Sequence, residues 1–488
     1  MTADRLDVLL LVGGVVLLVA IAAVRLSVGS GLPSLLIYLG LGLVLGEDVL
    51  GVDFDNTDIA QALGFAALVI ILAEGGLTTS WDEIRPVVPA AAALATIGTA
   101  VSVVVTAGAA HALLDIGWRD ALLVGAVLAP TDSAAVFSVL RRVPLPSRLR
   151  GLLEAESGFN DAPVVILVVT LAGAHAVSAW ELLGLLVFEL AAGAVVGLVV
   201  GWAGAWGVRR IALPSSGLYP LAVLALCVTA YGLAAVLHAS GFLAVYLAAL
   251  YLGNARLPHR PATRGFVEGM AWLAQIGLFV MLGLLATPSE LGPSILPALG
   301  VGVVLLLIAR PLAVFASVSW IGSSLREMAL LSWAGLRGAV PVVLATVPGE
   351  QDIFNLVFVL VVVFTVVQGP TLPWVARRLG LTSAVETTRL DIESSPLLRL
   401  DADLLQVHVD QGSQMAGVEV FELRLPPGAS VSLIVREGRA FVPQDGTPLR
   451  AGDDLILVAV ESVRRDVERR LRQVSRGGRL GGWHQRRP

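Results

Sequence analysis

The chain has 488 residues, of which 56% are hydrophobic and only 15% charged, with a formal net charge of −5. Soluble domains carry about 25% charged residues, so an ordinary soluble enzyme is excluded, and no nucleic-acid partner is expected. A single cysteine, Cys227, lies in an apolar run and excludes an internal disulfide or a cysteine metal cluster.

Apolar stretches of membrane-spanning length recur from Leu6 to near Trp374, the pattern of an all-α polytopic membrane protein. The first, Val8 to Val24, lacks the basic flank and cleavage context of a signal peptide and reads as a span. About 13 spans are expected, roughly 8–25, 33–50, 59–77, 87–113, 120–140, 151–174, 181–207, 217–238, 241–253, 267–286, 293–320, 327–347 and 353–376. The loops after the fifth, seventh, ninth and last spans carry Arg141, Arg142, Arg148, Arg150, Arg209, Arg210, Arg256, Arg260, Arg264, Arg377 and Arg378. The alternate loops are poor in arginine, and Glu47 to Asp58 is acidic. This bias places the N-terminus outside and the C-terminus in the cytoplasm.

Past the membrane part, 1–380, residues 381–399 are polar and read as a linker. Residues 400–475 read as a small α/β domain. Leu405 to Val409 alternates as a strand, Glu437-Gly438 joins a hairpin, Leu455 to Val460 is a further strand, and Val463 to Leu471 is a charged helix. Residues 476–488 form a basic tail, either solvated or held on anionic headgroups.

The chemistry concentrates in two neighbouring spans. Within a helix Glu156 and Asn160 are four apart, and so are Ser157 and Asp161, so all four share one face. A carboxylate at membrane depth costs roughly 2.5–3.5 kcal/mol, so such a face turns toward protein or a water-filled cavity. The preceding span offers Thr131 and Asp132 directly after Pro130. Proline breaks the helix and frees carbonyls. Carbonyls, hydroxyls and carboxylates are the hard ligands an alkali cation needs, and broken helices at the midplane are a recurring transporter device. Asp161 and Asp132 are therefore the candidate cation and proton site. Two buried arginines need partners, because arginine stays charged. Arg310 is expected to pair with Glu156, and Arg337 with Glu74 unless Glu74 is solvated at the membrane edge.

In this order, Thr131-Asp132, Glu156-Ser157-x-x-Asn160-Asp161, Ala309-Arg310-Pro311 and Gly335-Leu336-Arg337-Gly338 together resemble the NhaP-type branch of the monovalent cation/proton antiporters. The resemblance covers residues 1 to about 380. It implies inverted repeats with broken core helices, a homodimer in a bacterial cytoplasmic membrane, and no enzymatic activity. It further implies that cation and proton compete for Asp161, with Asp132, Thr131 and Ser157 as further ligands. Asn160 would stabilise the unwound crossover, and Glu156–Arg310 would hold the core. The chain has no lysine. Related electrogenic antiporters use a late lysine where Arg310 stands, so the parallel implies electroneutral exchange.

The segment from Gly417 to Leu455 resembles the TrkA C-terminal (RCK-C) domain, a ligand-sensing regulator of potassium transport. Gly277 to Ser289 resembles the potassium/proton subgroup. Both favour potassium over sodium, with a sodium/proton antiporter as the alternative, and the resemblance to the RCK-C domain implies a small regulatory ligand, such as a nucleotide, at the C-terminal domain. Two rival classes fit less well. Intramembrane aspartyl proteases carry Gly-x-Gly-Asp where this chain has Gly158-Phe159-Asn160-Asp161. Potassium channels carry a Thr-Val-Gly-Tyr-Gly filter, which the sequence lacks.

Overall fold

The computed structural model describes residues 3–30, 33–52, 54, 56–140, 143, 145–173, 178–381, 392–397, 402–410 and 412–480. Arg141 and Arg142, most of the linker stretch and the tail beyond Leu480 lie outside the described residues. The chain divides into two compact units, Met1–Thr382 and Ser383–Pro488.

The first unit is helical. Its elements are α1 (Ala3–Ser30), α2 (Ser34–Leu45), α3 (Thr57–Thr78), α4 (Trp81–Leu114), α5 (Trp118–Val127), α6 (Ser133–Leu140), α7 (Ser147–Ala172) and α8 (Ala179–Arg210). There follow α9 (Leu218–Val236), α10 (Gly241–Asn254), α11 (Arg260–Leu285), α12 (Pro288–Ile321), α13 (Leu325–Trp333), α14 (Ala339–Leu344) and α15 (Gln351–Arg378). Among the described residues, 8 helices are long and apolar enough to cross a membrane. Three more apolar helices are shorter, and α5/α6 and α13/α14 are interrupted pairs. Length and composition alone thus account for 8 of the about 13 spans expected.

One succession of elements occurs twice. The helices α4 and α12 each have 34 residues. Each begins with a short turn and a 3₁₀ segment (Arg85–Val87, Gly292–Ser294), and each passes through a π-helical turn (Leu94–Gly98, Leu305–Ala309). Each is followed by a broken pair and then by a long helix, α7 or α15. Local chemistry explains the breaks. Pro130 offers no amide hydrogen to continue α5, and Gly338, at φ −113° and ψ −136°, precedes α14 in a backbone geometry outside the helix.

The second unit holds a five-stranded antiparallel sheet: β1 (Ile392–Leu397), β2 (Ala402–His408), β3 (Ala429–Arg436), β4 (Arg439–Phe441) and β5 (Asp454–Val460), in the order β1-β2-β5-β3-β4. Strand β1 falls within the stretch read as linker, and as an edge strand it tolerates Pro396. The β3–β4 turn has positive φ at both Glu437 and Gly438, the twist a tight hairpin needs. Leu405, Val407, Leu455 and Leu457 alternate toward one face of the sheet. They pack with Val467, Leu471 and Val474, which recur at helical spacing along α16 (Arg464–Gly477). Arg436 grips the fully buried Asp453 with two hydrogen bonds of 2.8 Å. The Arg450 N–H donates to the same carboxylate at 2.7 Å and closes the turn before β5.

Candidate functional site: two unwound segments and a buried carboxylate

The segments between α5 and α6 and between α13 and α14 meet. The Asp132 N–H donates to the Leu336 carbonyl at 2.8 Å, one backbone hydrogen bond joining the two breaks. Each interrupted helix leaves carbonyls at one end and N–H groups at the next, with partial charges of opposite sign. Side chains answer both. Arg337 donates through one nitrogen to the carbonyls of Ala129, at 2.5 Å, and Pro130, at 2.6 Å, where α5 ends. Arg310 donates to the Leu331 carbonyl in the last turn of α13 at 3.3 Å. At the opposite sign, Asp132 Oδ1 accepts from the Ala135 N–H at 3.1 Å and caps α6.

Arg337 is therefore not paired with Glu74, and the expected Glu74–Arg337 ion pair does not form. The sequence displays formal charges but not the carbonyls released at a helix break, and those carbonyls satisfy Arg337. Glu74 is half-buried on α3, where its own backbone carbonyl accepts the Thr78 hydroxyl at 2.9 Å.

Glu156 and Arg310 form a buried two-bond ion pair, at 2.6 and 3.0 Å. The Thr131 hydroxyl lies 3.5 Å from Glu156 Oε1 as donor and accepts from Asn160 Nδ2 at 2.8 Å. A chain thus runs Arg310–Glu156–Thr131–Asn160 and fixes the Asn160 amide. Thr131 has both hydroxyl roles engaged, so its side chain belongs to this frame. Ser157 Oγ accepts from the Ser133 N–H at 3.2 Å, tying α7 to the start of α6.

Asp161 stands apart from this network. It is 6% exposed, and among the described residues neither its Oδ1 nor the Oδ1 of neighbouring Asn160 has a hydrogen-bond partner. The Asp132 carboxylate is near enough to act on it electrostatically. Asp132 and Ser157 are half-buried, so the polar face reaches the edge of the packed interior. Two buried, under-coordinated oxygens beside a second carboxylate form an oxygen-rich site for a proton or a hard monovalent cation.

Three glycines and a proline that sequence reasoning left without a role shape the site. A Cβ on Gly338 would lie 1.7 Å from Asp132 Oδ2, one on Gly335 2.7 Å from Arg310 Nε, and one on Gly158 2.4 Å from the Tyr246 ring. Pro163 sits inside α7 two residues beyond Asp161, so the Phe159 carbonyl loses its usual helical donor. The signals were present as Gly-Leu-Arg-Gly and Ala-Pro, but their meaning depends on what lies opposite.

Residues 14–378 match the family "Sodium/hydrogen exchanger, transmembrane", and residues 404–472 match the TrkA-C domain. The chain is 36% identical to the K(+)/H(+) antiporter NhaP of Alkalimonas amylolytica over 473 residues, covering 93% of this chain and 82% of that protein. It is 35% identical to the K(+)/H(+) antiporter NhaP2 of Shewanella oneidensis over 478 residues, 94% and 83% of the two chains. Its fold is similar to that of the sodium proton antiporter MjNhaP1 of Methanocaldococcus jannaschii, with a TM-score of 0.67, 24% identity, and 77% and 99% of the two chains covered. The chain belongs to the sodium/hydrogen exchanger family, a family of transporters rather than enzymes, and carries a TrkA-C domain.

Proposed function

We propose that this protein exchanges potassium for protons across a bacterial cytoplasmic membrane, with the two ions competing for Asp161. The observation that carries this reading is the buried Asp161 carboxylate with an unpartnered Oδ1 beside the crossing of two unwound segments. A carboxyl group out of water prefers its protonated form, whereas a cation beside it favours the carboxylate. Binding of one ion therefore opposes binding of the other. Asp132, Ser157, Asn160 and backbone carbonyls near Thr131 complete the cation's surroundings. Potassium is favoured over sodium by the K(+)/H(+) antiporters at 35–36% identity and by the TrkA-C domain.

A charge count supports one-for-one exchange. Glu156 pairs with Arg310, and Asp132 and Arg337, which bond to different backbone groups at the crossing, carry equal and opposite formal charges. Asp161 contributes one further negative charge, which one proton or one monovalent cation neutralises. Both loaded states are then equally neutral, and alternating access moves no net charge. A homodimer, an external N-terminus and a small regulatory ligand at the TrkA-C domain complete the proposal.

The test is proton flux in proteoliposomes with potassium, sodium or lithium, with and without residues 390–488. Potassium-driven flux is expected to exceed the others and to be independent of membrane potential. Asp161→Asn should abolish it while still inserting and purifying normally. Full flux from that variant would remove Asp161 from the mechanism, and potential-dependent flux would remove the one-for-one count.

A further inference from the structure

A mainly apolar pocket edged by two arginines lies away from the crossing, where the end of α3, the end of α10 and the start of α11 meet. It is a shallow depression lined by Leu77, Leu252, Gly253, Leu257, Arg260, Thr263 and Arg264. Arg260 donates to the Gly253 carbonyl and fastens the first turn of α11 to the last turn of α10. The Thr263 hydroxyl is occupied by the His259 carbonyl at 3.2 Å. Arg264 is half-buried, and its buried Nε has no hydrogen-bond partner among the described residues. Glu268, one turn further along α11, forms no ion pair with it. A guanidinium N–H held off water favours an acceptor beside it, and none of the described residues supplies one to this nitrogen.

The geometry points to a binding site for a phosphate group at Arg264, with Arg260 as the second cation. A guanidinium presents parallel N–H donors that match phosphate oxygens, and two on adjacent turns can share one phosphate. The rest of the lining is apolar, from Leu77, Leu252 and Leu257. A phosphate with a hydrocarbon attachment thus meets both halves of the pocket, the pattern of basic pockets between membrane helices that take anionic headgroups. An occupant would bridge three helices that otherwise meet by close backbone packing, as at Gly253, where a Cβ would lie 2.4 Å from the Leu77 carbonyl oxygen.

The experiment compares thermal unfolding of the full-length protein in detergent with added phosphatidylglycerol, phosphatidylcholine or inorganic phosphate. Phosphatidylglycerol is expected to raise the midpoint above that in phosphatidylcholine by several degrees. R264Q should lose most of that increment, while R256Q, which removes a neighbouring charge outside the pocket, should keep it. R264K serves if R264Q does not fold, and should lose about half, because an ammonium replaces a two-pronged donor. An equal increment from inorganic phosphate, again lost in R264Q, assigns the site to free phosphate. An increment insensitive to Arg264 substitution, or lost equally in R256Q, overturns the proposal, as does the absence of any increment.

Discussion

Arg337 hydrogen-bonds the Pro130 carbonyl at 2.6 Å, although 207 residues separate the two in sequence. This is a buried cation answering the negative end of an interrupted helix, in place of a carboxylate. Arg337→Ala strands two buried carbonyls at about 1–3 kcal/mol each. It should lower the melting temperature in detergent by several degrees, with Arg337→Lys recovering part. Retained stability in Arg337→Ala would show that water serves these carbonyls equally well.

Gly338 leaves room for the Asp132 carboxylate. A methyl group there would displace Oδ2 from its place. Misplacement by about 1 Å in a positioned site can cost on the order of 10²-fold in rate. Gly338→Ala should reduce cation-driven proton flux on that scale while the protein still folds. Gly277, with open space around it, is the control. Gly277→Ala should leave flux unchanged and add about 0.5–1 kcal/mol of helix stability.

The Glu156–Arg310 pair should behave as one unit. Removing either partner leaves a buried charge uncompensated, at a cost of about 3–5 kcal/mol. The double variant Glu156→Ala, Arg310→Ala should be less destabilised than the sum of the singles. A double-mutant cycle in chemical denaturant measures this coupling, and additive singles would argue against a closed pair.

Much of the crossing was legible in the sequence because its charges are individually costly. Asp132, Glu156, Asp161 and Arg310 each announce themselves as ionisable groups in apolar runs, and a hydrophobic environment forces such groups together. What was not legible depends on groups every residue carries. The carbonyls of Ala129 and Pro130 bind Arg337, yet no sequence pattern distinguishes them from other carbonyls. The glycines at 335 and 338 matter through the side chains opposite, Arg310 and Asp132, whose approach only the fold reveals. In the small domain, the Glu437-Gly438 turn was readable because it is local. Strand β1 was hidden because its polar residues lie on a sheet edge, where burial imposes no alternation.

The TrkA-C unit should show acid sensitivity of a definite sign. Burial opposes ionisation of Asp453, but hydrogen bonds from Arg436 and the Arg450 N–H outweigh it and hold the carboxyl below its ordinary value. A depressed folded-state value means stabilisation that is complete above the unfolded value, about 3.9. It is lost as pH falls through the folded value. Amide exchange of β3 and β5 in the full-length protein, corrected for intrinsic rates, should therefore accelerate below about pH 4. Asp453→Asn should flatten this dependence, and an unchanged profile would count against the Arg436 contact as its source.

The hydrogen bond from the Asp132 N–H to the Leu336 carbonyl has a mechanical corollary. It works with the grip of Arg337 on the opposite segment like a rivet through two crossed blades. Neither blade can slide without shearing the joint. A rearrangement that keeps this joint and carries Asp132 from one side of the membrane toward the other takes Leu336 and Arg337 with it, so the part that moves then contains both crossed segments.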